Sequence, residues 1–287
     1  MINRIVILGH TGFIGSHLEK YFSNNYPTIE IIGQSLPSID LAEDASLLKN
    51  YFNANTAVIM CAAVKKQLGS TITTCQKNIA MVANLCTMLE QSPVERLIYF
   101  SSAAVYGEQR QNLNITEDTS INPSSYYGIA KTTGESLLQK AMSKGLVIVR
   151  PPQIYGPGDI PCYGPVGFLH TVLNKEPIIL WGDGTEKREF IFVDDVVALV
   201  EKLLFSDYKG VLNIASGKSY SYQEILEVIR KMTGLSLQVR SQERTNEKVD
   251  HYFDNNTLMQ QFPAFQFTSL SKGVQKMIST SQEEGRK

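Results

Sequence analysis

Arg4-Ile5-Val6-Ile7-Leu8-Gly9-His10-Thr11-Gly12-Phe13-Ile14-Gly15 is the stretch that decides the fold. Its first five residues form a β-branched apolar run that stops at Gly9. Three glycines follow with the spacing G-x-x-G-x-x-G, and Ile14, Leu18 and Phe22 then recur on one helical face. Strand, glycine loop and helix in that order make a dinucleotide-binding turn. Glycines allow a tight bend and close approach of a pyrophosphate, and the helix N-terminus offers free N–H groups and partial positive charge. Gly9, Gly12, Phe13, Ile14 and Gly15 are therefore candidate cofactor contacts, although the spacing differs from the commoner G-x-G-x-x-G.

The pattern repeats outward from that turn. Apolar runs at 29–32, 57–61, 96–100 and 146–149 predict further strands. Helical patterns separate them: one through Leu47, Leu48, Tyr51 and Phe52, one that Asn78 opens, and one carrying Tyr127, Gly134 and Leu138. This alternation predicts an α/β fold, a Rossmann-type doubly wound parallel sheet, over residues 1–152. Small or polar residues follow each strand, where such sheets bind ligands. After Arg150 the texture changes to turns, short strands and helices. Residues 153–280 are expected to form a smaller mixed α/β C-terminal substrate domain, with the chain crossing back near 189–205. Within it Ser221 and Glu224 make a capping box, Asp194 and Asp195 are expected to cap a helix, and Trp181 is expected to pack. The polar end, 281–287, is expected to fray.

Tyr127 and Lys131 lie one turn apart on their helix. An ammonium beside a phenol stabilises the phenolate, so this spacing predicts a lowered tyrosine pKa and a general base. The bland alternative is a half-buried tyrosine beside a solvated lysine.

Composition excludes other classes. Twenty-seven basic residues against 28 acidic give a net charge of −1, which offers no general attraction to nucleic acid or a membrane surface. The longest apolar run, 57–64, is too short to span a bilayer, and no signal-peptide pattern precedes the first strand. Cys61, Cys75, Cys86 and Cys162 are scattered, and the four histidines, His10 included, show no ligand spacing. No metal is expected, and core thiols in the cytoplasm are.

Five segments in order carry a resemblance: the loop 9–15, Ser101-Ser102-Ala103-Ala104-Val105-Tyr106-Gly107, residues 123–131, residues 150–158, and residues 182–196. Together they resemble the extended short-chain dehydrogenase/reductase family, in its nucleotide-sugar epimerase/dehydratase branch. The resemblance implies that Ser102, Tyr127 and Lys131 are catalytic, with Tyr127 moving a proton at a sugar oxygen. It implies NAD or NADP held by the glycine loop, Asp40, Leu41, Ala62, Ala63, Lys65, Asn78, Tyr127, Lys131 and Pro151. It implies a nucleotide-diphosphate sugar substrate held by Ser102, Tyr127, Gln153, Arg188 and Arg244, and a homodimer built on the Asn78 and Tyr127 helices.

Departures narrow the reaction. Gly33 stands where relatives carry a ribose-binding acid, Gln153 replaces a more usual asparagine, and Met60 or Cys61 stands where relatives often carry a histidine. Dehydratases of this branch have an Asp-Glu pair after the serine, and Ala103-Ala104 cannot supply acid–base chemistry. A 4-epimerase is the leading expectation. A ketosugar reductase is the alternative, and a non-catalytic dinucleotide sensor the third.

Overall fold

The structure, a computed structural model, describes residues 1–65, 67 and 69–284. In chain order its elements are β1 (Arg4–Leu8), α1 (Phe13–Asn25), β2 (Glu30–Gln34), β3 (Thr56–Met60), α2 (Ile72–Gln91), β4 (Arg96–Phe100), β5 (Asn112–Ile115), α3 (Tyr126–Ala141), β6 (Leu146–Arg150), β7 (Gln153–Tyr155), α4 (Gly164–Leu173), β8 (Ile178–Trp181), β9 (Lys187–Phe192), α5 (Val193–Leu204), β10 (Gly210–Asn213), β11 (Ser219–Ser221), α6 (Tyr222–Thr233), β12 (Val239–Gln242), β13 (His251–Phe253), α7 (Asn256–Gln261) and α8 (Leu270–Glu284). The chain divides into two compact units. The first comprises Met1–Glu108, Glu117–Pro151 and Val197–Ile214. The second comprises Gln109–Thr116, Pro152–Val196 and the described chain from Ala215. The segment 109–116 thus goes with the second unit, and 197–214, close to the 189–205 stretch where the sequence has the chain crossing back, goes with the first.

The first unit is a parallel sheet with the strand order β10-β6-β4-β3-β1-β2. Every residue of β3 and β4 is buried, as expected of strands covered on both faces. β1 lies between β2 and β3, so the strand order reverses there and loop 9–15 opens at the switch point. Several boundaries differ from the sequence reading. β2 runs through Gly33 to Gln34. Leu48 lies in a 3-10 turn, Ser46–Asn50, and not in a long helix. Helix α2 starts at Ile72, capped by Thr71 and Thr74, so Asn78 lies within it and does not open it. Gly134 of α3 faces its own sheet: a Cβ there would come within 2.4 Å of the Tyr99 hydroxyl.

The second unit pairs its strands β11-β9-β7, β12-β8 and β13-β5. Its core packs Tyr155, Phe168, Phe190 and Phe192 against Ile225, Ile229 and Val274. Helix α6 carries the Ser221–Glu224 capping box that its sequence predicts. Asp195 does not serve as a cap; its carboxylate accepts from Thr268 N and Oγ1, both at 2.7 Å. Trp181 is 48% exposed, so it does not pack as expected. Residues 281–284 continue α8 in place of a frayed tail, and 285–287 lie outside the described residues. Among the described residues no helix is long and apolar enough to cross a membrane.

A buried ion pair sits inside the first unit. Arg150 Nε and Nη2 donate to the Glu135 carboxylate at 2.9 and 2.6 Å, with side chains 4% and 3% exposed. Removing one partner strands the other charge. Arg150→Ala should destabilise the protein by about 3–5 kcal/mol in urea unfolding, and Arg150→Met with Glu135→Leu should recover much of that loss.

Candidate active site

Ser125 caps α3 by accepting from Gly128 N at 3.1 Å, which starts the helix just before Tyr127. One turn later the buried Lys131 ammonium donates to the Phe100 carbonyl at 2.6 Å. It lies 5.6 Å from the Tyr127 ring centroid and 5.0 Å from that of Tyr99. At the end of β4, Ser102 opens a 3-10 turn, Ala103–Tyr106, its Oγ accepting from Ala104 N at 3.1 Å. The Ser102 side chain also lies beside the Tyr127 hydroxyl, whose pKa it draws down. The structure thus brings Ser102, Tyr127 and Lys131 together.

Their electrostatics differ from the sequence reading. Burial and the nearby Glu108 carboxylate push the Tyr127 phenol up to about 12, and only the Ser102 side chain pulls it down. Burial pulls Lys131 down to about 8, against the opposing influence of Cys61 and Glu135. In the protein alone the low dielectric outweighs the attraction of ammonium for phenolate.

The glycine loop forms a close-packed cradle. Gly9 has φ +91°, and a Cβ on it would come within 2.7 Å of the Ala62 backbone. A Cβ on Gly15 would meet the Gly9 carbonyl at 2.1 Å. Gly12 is the N-cap of α1 and makes no side-chain cap, so the N-terminal amides of Phe13, Ile14 and Gly15 have no side-chain capping acceptor at that residue. Phe13 is buried, and Lys65 stands 5.1 Å over its ring. Ala62 and Ala63 follow β3 and are partly buried. Pro151, at the end of β6, accepts from Ala103 N at 2.9 Å.

Other candidates have structural duties. Asn78 clamps Val64, accepting from its N–H at 2.7 Å and donating to its carbonyl at 3.0 Å. Leu41 is buried in the core, while Asp40 is exposed and turns the chain by accepting from Ala42 N at 3.0 Å. His10 is not incidental. Its Nδ1 lies 3.0 Å from Ser35 Oγ, and its ring fills the space beside Gly33, where a Cβ would come within 2.4 Å. The missing acid at 33 thus has a steric reason that only the tertiary contact shows.

In the second unit, Gln153 is exposed on β7. Arg188 and Arg244 meet at one carboxylate: Glu186 Oε1 pairs with Arg188 Nη2 and Oε2 with Arg244 Nη1. The sequence reading missed Glu186, whose only signal was its place directly before Lys187 and Arg188 in the 182–196 segment.

A phosphate cradle at a switch point, with a serine, tyrosine and lysine converging after β4, is matched by known proteins. The pattern of the NAD dependent epimerase/dehydratase family matches residues 5–215. The chain belongs to that family. It is 28% identical over 260 residues to a putative UDP-glucose 4-epimerase of Methanocaldococcus jannaschii, covering 80% of this chain and 82% of that protein. MoeE5, solved with UDP-glucuronic acid and NAD, superposes with a TM-score of 0.82 at 25% identity, covering 98% of this chain and 99% of that one. The UDP-glucuronic acid 4-epimerase of Bacillus cereus shares the fold, with a TM-score of 0.82 at 21% identity and 98% and 99% coverage. The protein is an NAD-dependent enzyme of the short-chain dehydrogenase/reductase type. The cradle fits NAD: the backbone of Gly9 and Gly15 leaves no room for a side chain, and α1 points its N-terminus into the loop.

The lysine gives a test. Lys131 carries its charge below about 8 and loses it as pH rises through that value. The kcat/KM profile should therefore break near pH 8 and fall about tenfold per unit above the break, a limb that Lys131→Met removes.

Proposed function

We propose that the protein is a UDP-sugar 4-epimerase that inverts C4 of the sugar through a transient 4-keto form. The observation that carries this reading is the Ser102–Tyr127–Lys131 cluster followed by the methyl side chains of Ala103 and Ala104. The cluster can take a proton from a hydroxyl and return it. The alanines offer no acid or base to expel water from the neighbouring carbon, which argues against a dehydratase. The UDP-glucose and UDP-glucuronic acid named for the relatives point to UDP as the nucleotide.

Bound NAD supplies a reversible hydride acceptor at nicotinamide C4. Tyr127 accepts the C4 hydroxyl proton as the hydroxyl is oxidised and returns it on reduction. Ser102 hydrogen-bonds the same sugar oxygen and so holds it in line with Tyr127. Lys131, protonated at neutral pH, places a cation one helical turn from Tyr127. Because the phenol is pushed up to about 12 in the protein alone, the phenolate must form only in the loaded site. Arg188 and Arg244 are assigned to the diphosphate, for which guanidinium forks are suited, and Gln153 to the sugar. The cofactor residues are assigned as the glycine loop with Asp40, Leu41, Ala62, Ala63, Lys65, Asn78, Tyr127, Lys131 and Pro151.

The reading includes a homodimer on α2 and α3, whose exposed apolar residues include Ile72, Tyr126 and Ile129. It places the protein in the cytoplasm, where the free thiols of Cys75 and Cys86 persist.

Incubating the purified protein with UDP-glucose, and following the sugar by NMR, should show the C4 epimer accumulating with no net consumption of cofactor. A 4-keto-6-deoxy product, or NADPH consumed with a keto sugar, would sink the proposal in favour of a dehydratase or a reductase. Tyr127→Phe should keep NAD affinity and lower kcat by about 10²–10⁴-fold.

A further inference from the structure

We propose that Glu186 is an internal counter-anion: it occupies the Arg188–Arg244 pair until a nucleotide diphosphate displaces it, and so sets the affinity of that site. This rests on the assignment of the two arginines to the diphosphate.

Glu186 lies in the turn between β8 and β9, and its side chain is 14% exposed. Each of its oxygens takes a terminal nitrogen of a different arginine. The two arginine side chains are 13% and 19% exposed, so all three charges sit largely out of water. The rest of the arrangement holds the guanidiniums still. Arg188 Nη1 donates to the Lys187 carbonyl at 2.9 Å and to the Val249 carbonyl. Arg244 lies directly over Gly182, where a Cβ would come within 2.1 Å of its Nε. Gly182 has φ +79°, a conformation that also favours glycine. Arg244 Nη2 has no hydrogen-bond partner among the described residues and lies 3.7 Å from the exposed Asp183 carboxylate. The Asp183 carboxylate is itself engaged by Thr185 N and Oγ1, at 3.0 and 2.8 Å.

Two guanidiniums this close and this dry repel each other unless an anion lies between them. In the free protein Glu186 is that anion. A carboxylate and a phosphate present oxygens to a guanidinium fork in the same way, so they compete for the same nitrogens. A diphosphate carries enough oxygens and charge to engage both arginines and release Glu186. A ligand bearing a lone carboxylate meets a site already satisfied. Glu186 thereby raises the threshold that an anion must pass, and only the part of the binding energy left after its displacement appears as affinity.

The whole protein can be titrated calorimetrically with UDP as the probe. Glu186→Gln keeps an acceptor between the arginines but removes the competing charge. UDP should bind it about tenfold more tightly than the parent, and the KM for the UDP-sugar should fall in step. Unchanged or weaker UDP binding by a folded variant overturns the proposal. Arg188→Ala separates the two levels of the argument. It should weaken UDP at least about tenfold, the usual scale for a lost charge-assisted contact. If it does not, the diphosphate assignment fails, and the role of Glu186 with it. A crystal structure of the unaltered protein with UDP makes the test independent of any variant's folding. Glu186 should then have left at least one guanidinium, and both pairs persisting beside bound UDP would overturn the proposal.

Discussion

The first unit depends on a guanidinium and a carboxylate that water does not reach. Arg150 ends β6 and Glu135 lies one turn beyond Lys131 on α3, so their pairing fixes the helix to the sheet. Such a pair offsets its desolvation only when the remaining donors and acceptors are also used. Here Arg150 Nη1 donates to Tyr106 Oη at 2.9 Å and to the Glu117 carbonyl at 3.3 Å. Tyr106 donates onward to Asn213 at 2.8 Å, and Ser101 donates to Glu135. The bonds run from α3 through β4's exit and its 3-10 turn to β10. The residues they hold flank the proposed catalytic ones: Ser101 precedes Ser102, Tyr106 closes the Ser102 turn, and Glu135 follows Lys131. The positions of Ser102, Tyr127 and Lys131 are thus set from beneath by their buried neighbours.

Burial that gives this rigidity also governs charge. Lys131 has its folded pKa depressed from 10.5 to about 8, so at neutral pH it is charged in both the folded and the unfolded states, and the cost of burying it is fully present. That cost is relieved as pH rises from about 8 towards 10.5, where the unfolded chain binds the extra proton. Glu189 of the second unit works in the opposite window. Burial raises it from 4.5 to about 7, although its carboxylate accepts from the Ser216 and Gly217 amides. Its contribution to stability is full below 4.5 and is lost as pH rises through 7.

How far the sequence could be read depended on how local each cause was. The parallel sheet and the Ser102, Tyr127 and Lys131 grouping were legible, because a strand end, a glycine spacing and a one-turn offset are properties of short stretches. The Ser221–Glu224 box was legible for the same reason. The start of α2 was misread because its cap is Thr71-x-x-Thr74, with a hydroxyl where the commoner capping box has a carboxylate or amide. β5 and β13 were missed because each is only a few residues long and exists through its partner. Asp250 N reaches Gln111 Oε1 from 139 residues away, and no local pattern announces that pairing. The direction of the Tyr127 shift was misread because one-turn spacing reports the neighbouring cation and says nothing of the dielectric around the hydroxyl.

Charge at the second site follows the same division. An arginine in the 182–196 segment is visible from its neighbours in sequence, but its free charge is not. Glu186 is two residues from Arg188 and 58 from Arg244, so half of its bridge is local and half tertiary. From the local half alone, Glu186 reads as a solvated acid beside a basic strand. With both halves, Glu186 cancels one of the two guanidinium charges, and the exposed Asp183 carboxylate 3.7 Å from Arg244 lowers the field further. A diphosphate therefore meets a weaker field than two arginines imply, and its binding depends on exchanging one anion for another. Affinity at such a site is a difference between two anions for the same donors, and so responds to the residue between the arginines as well as to the arginines themselves.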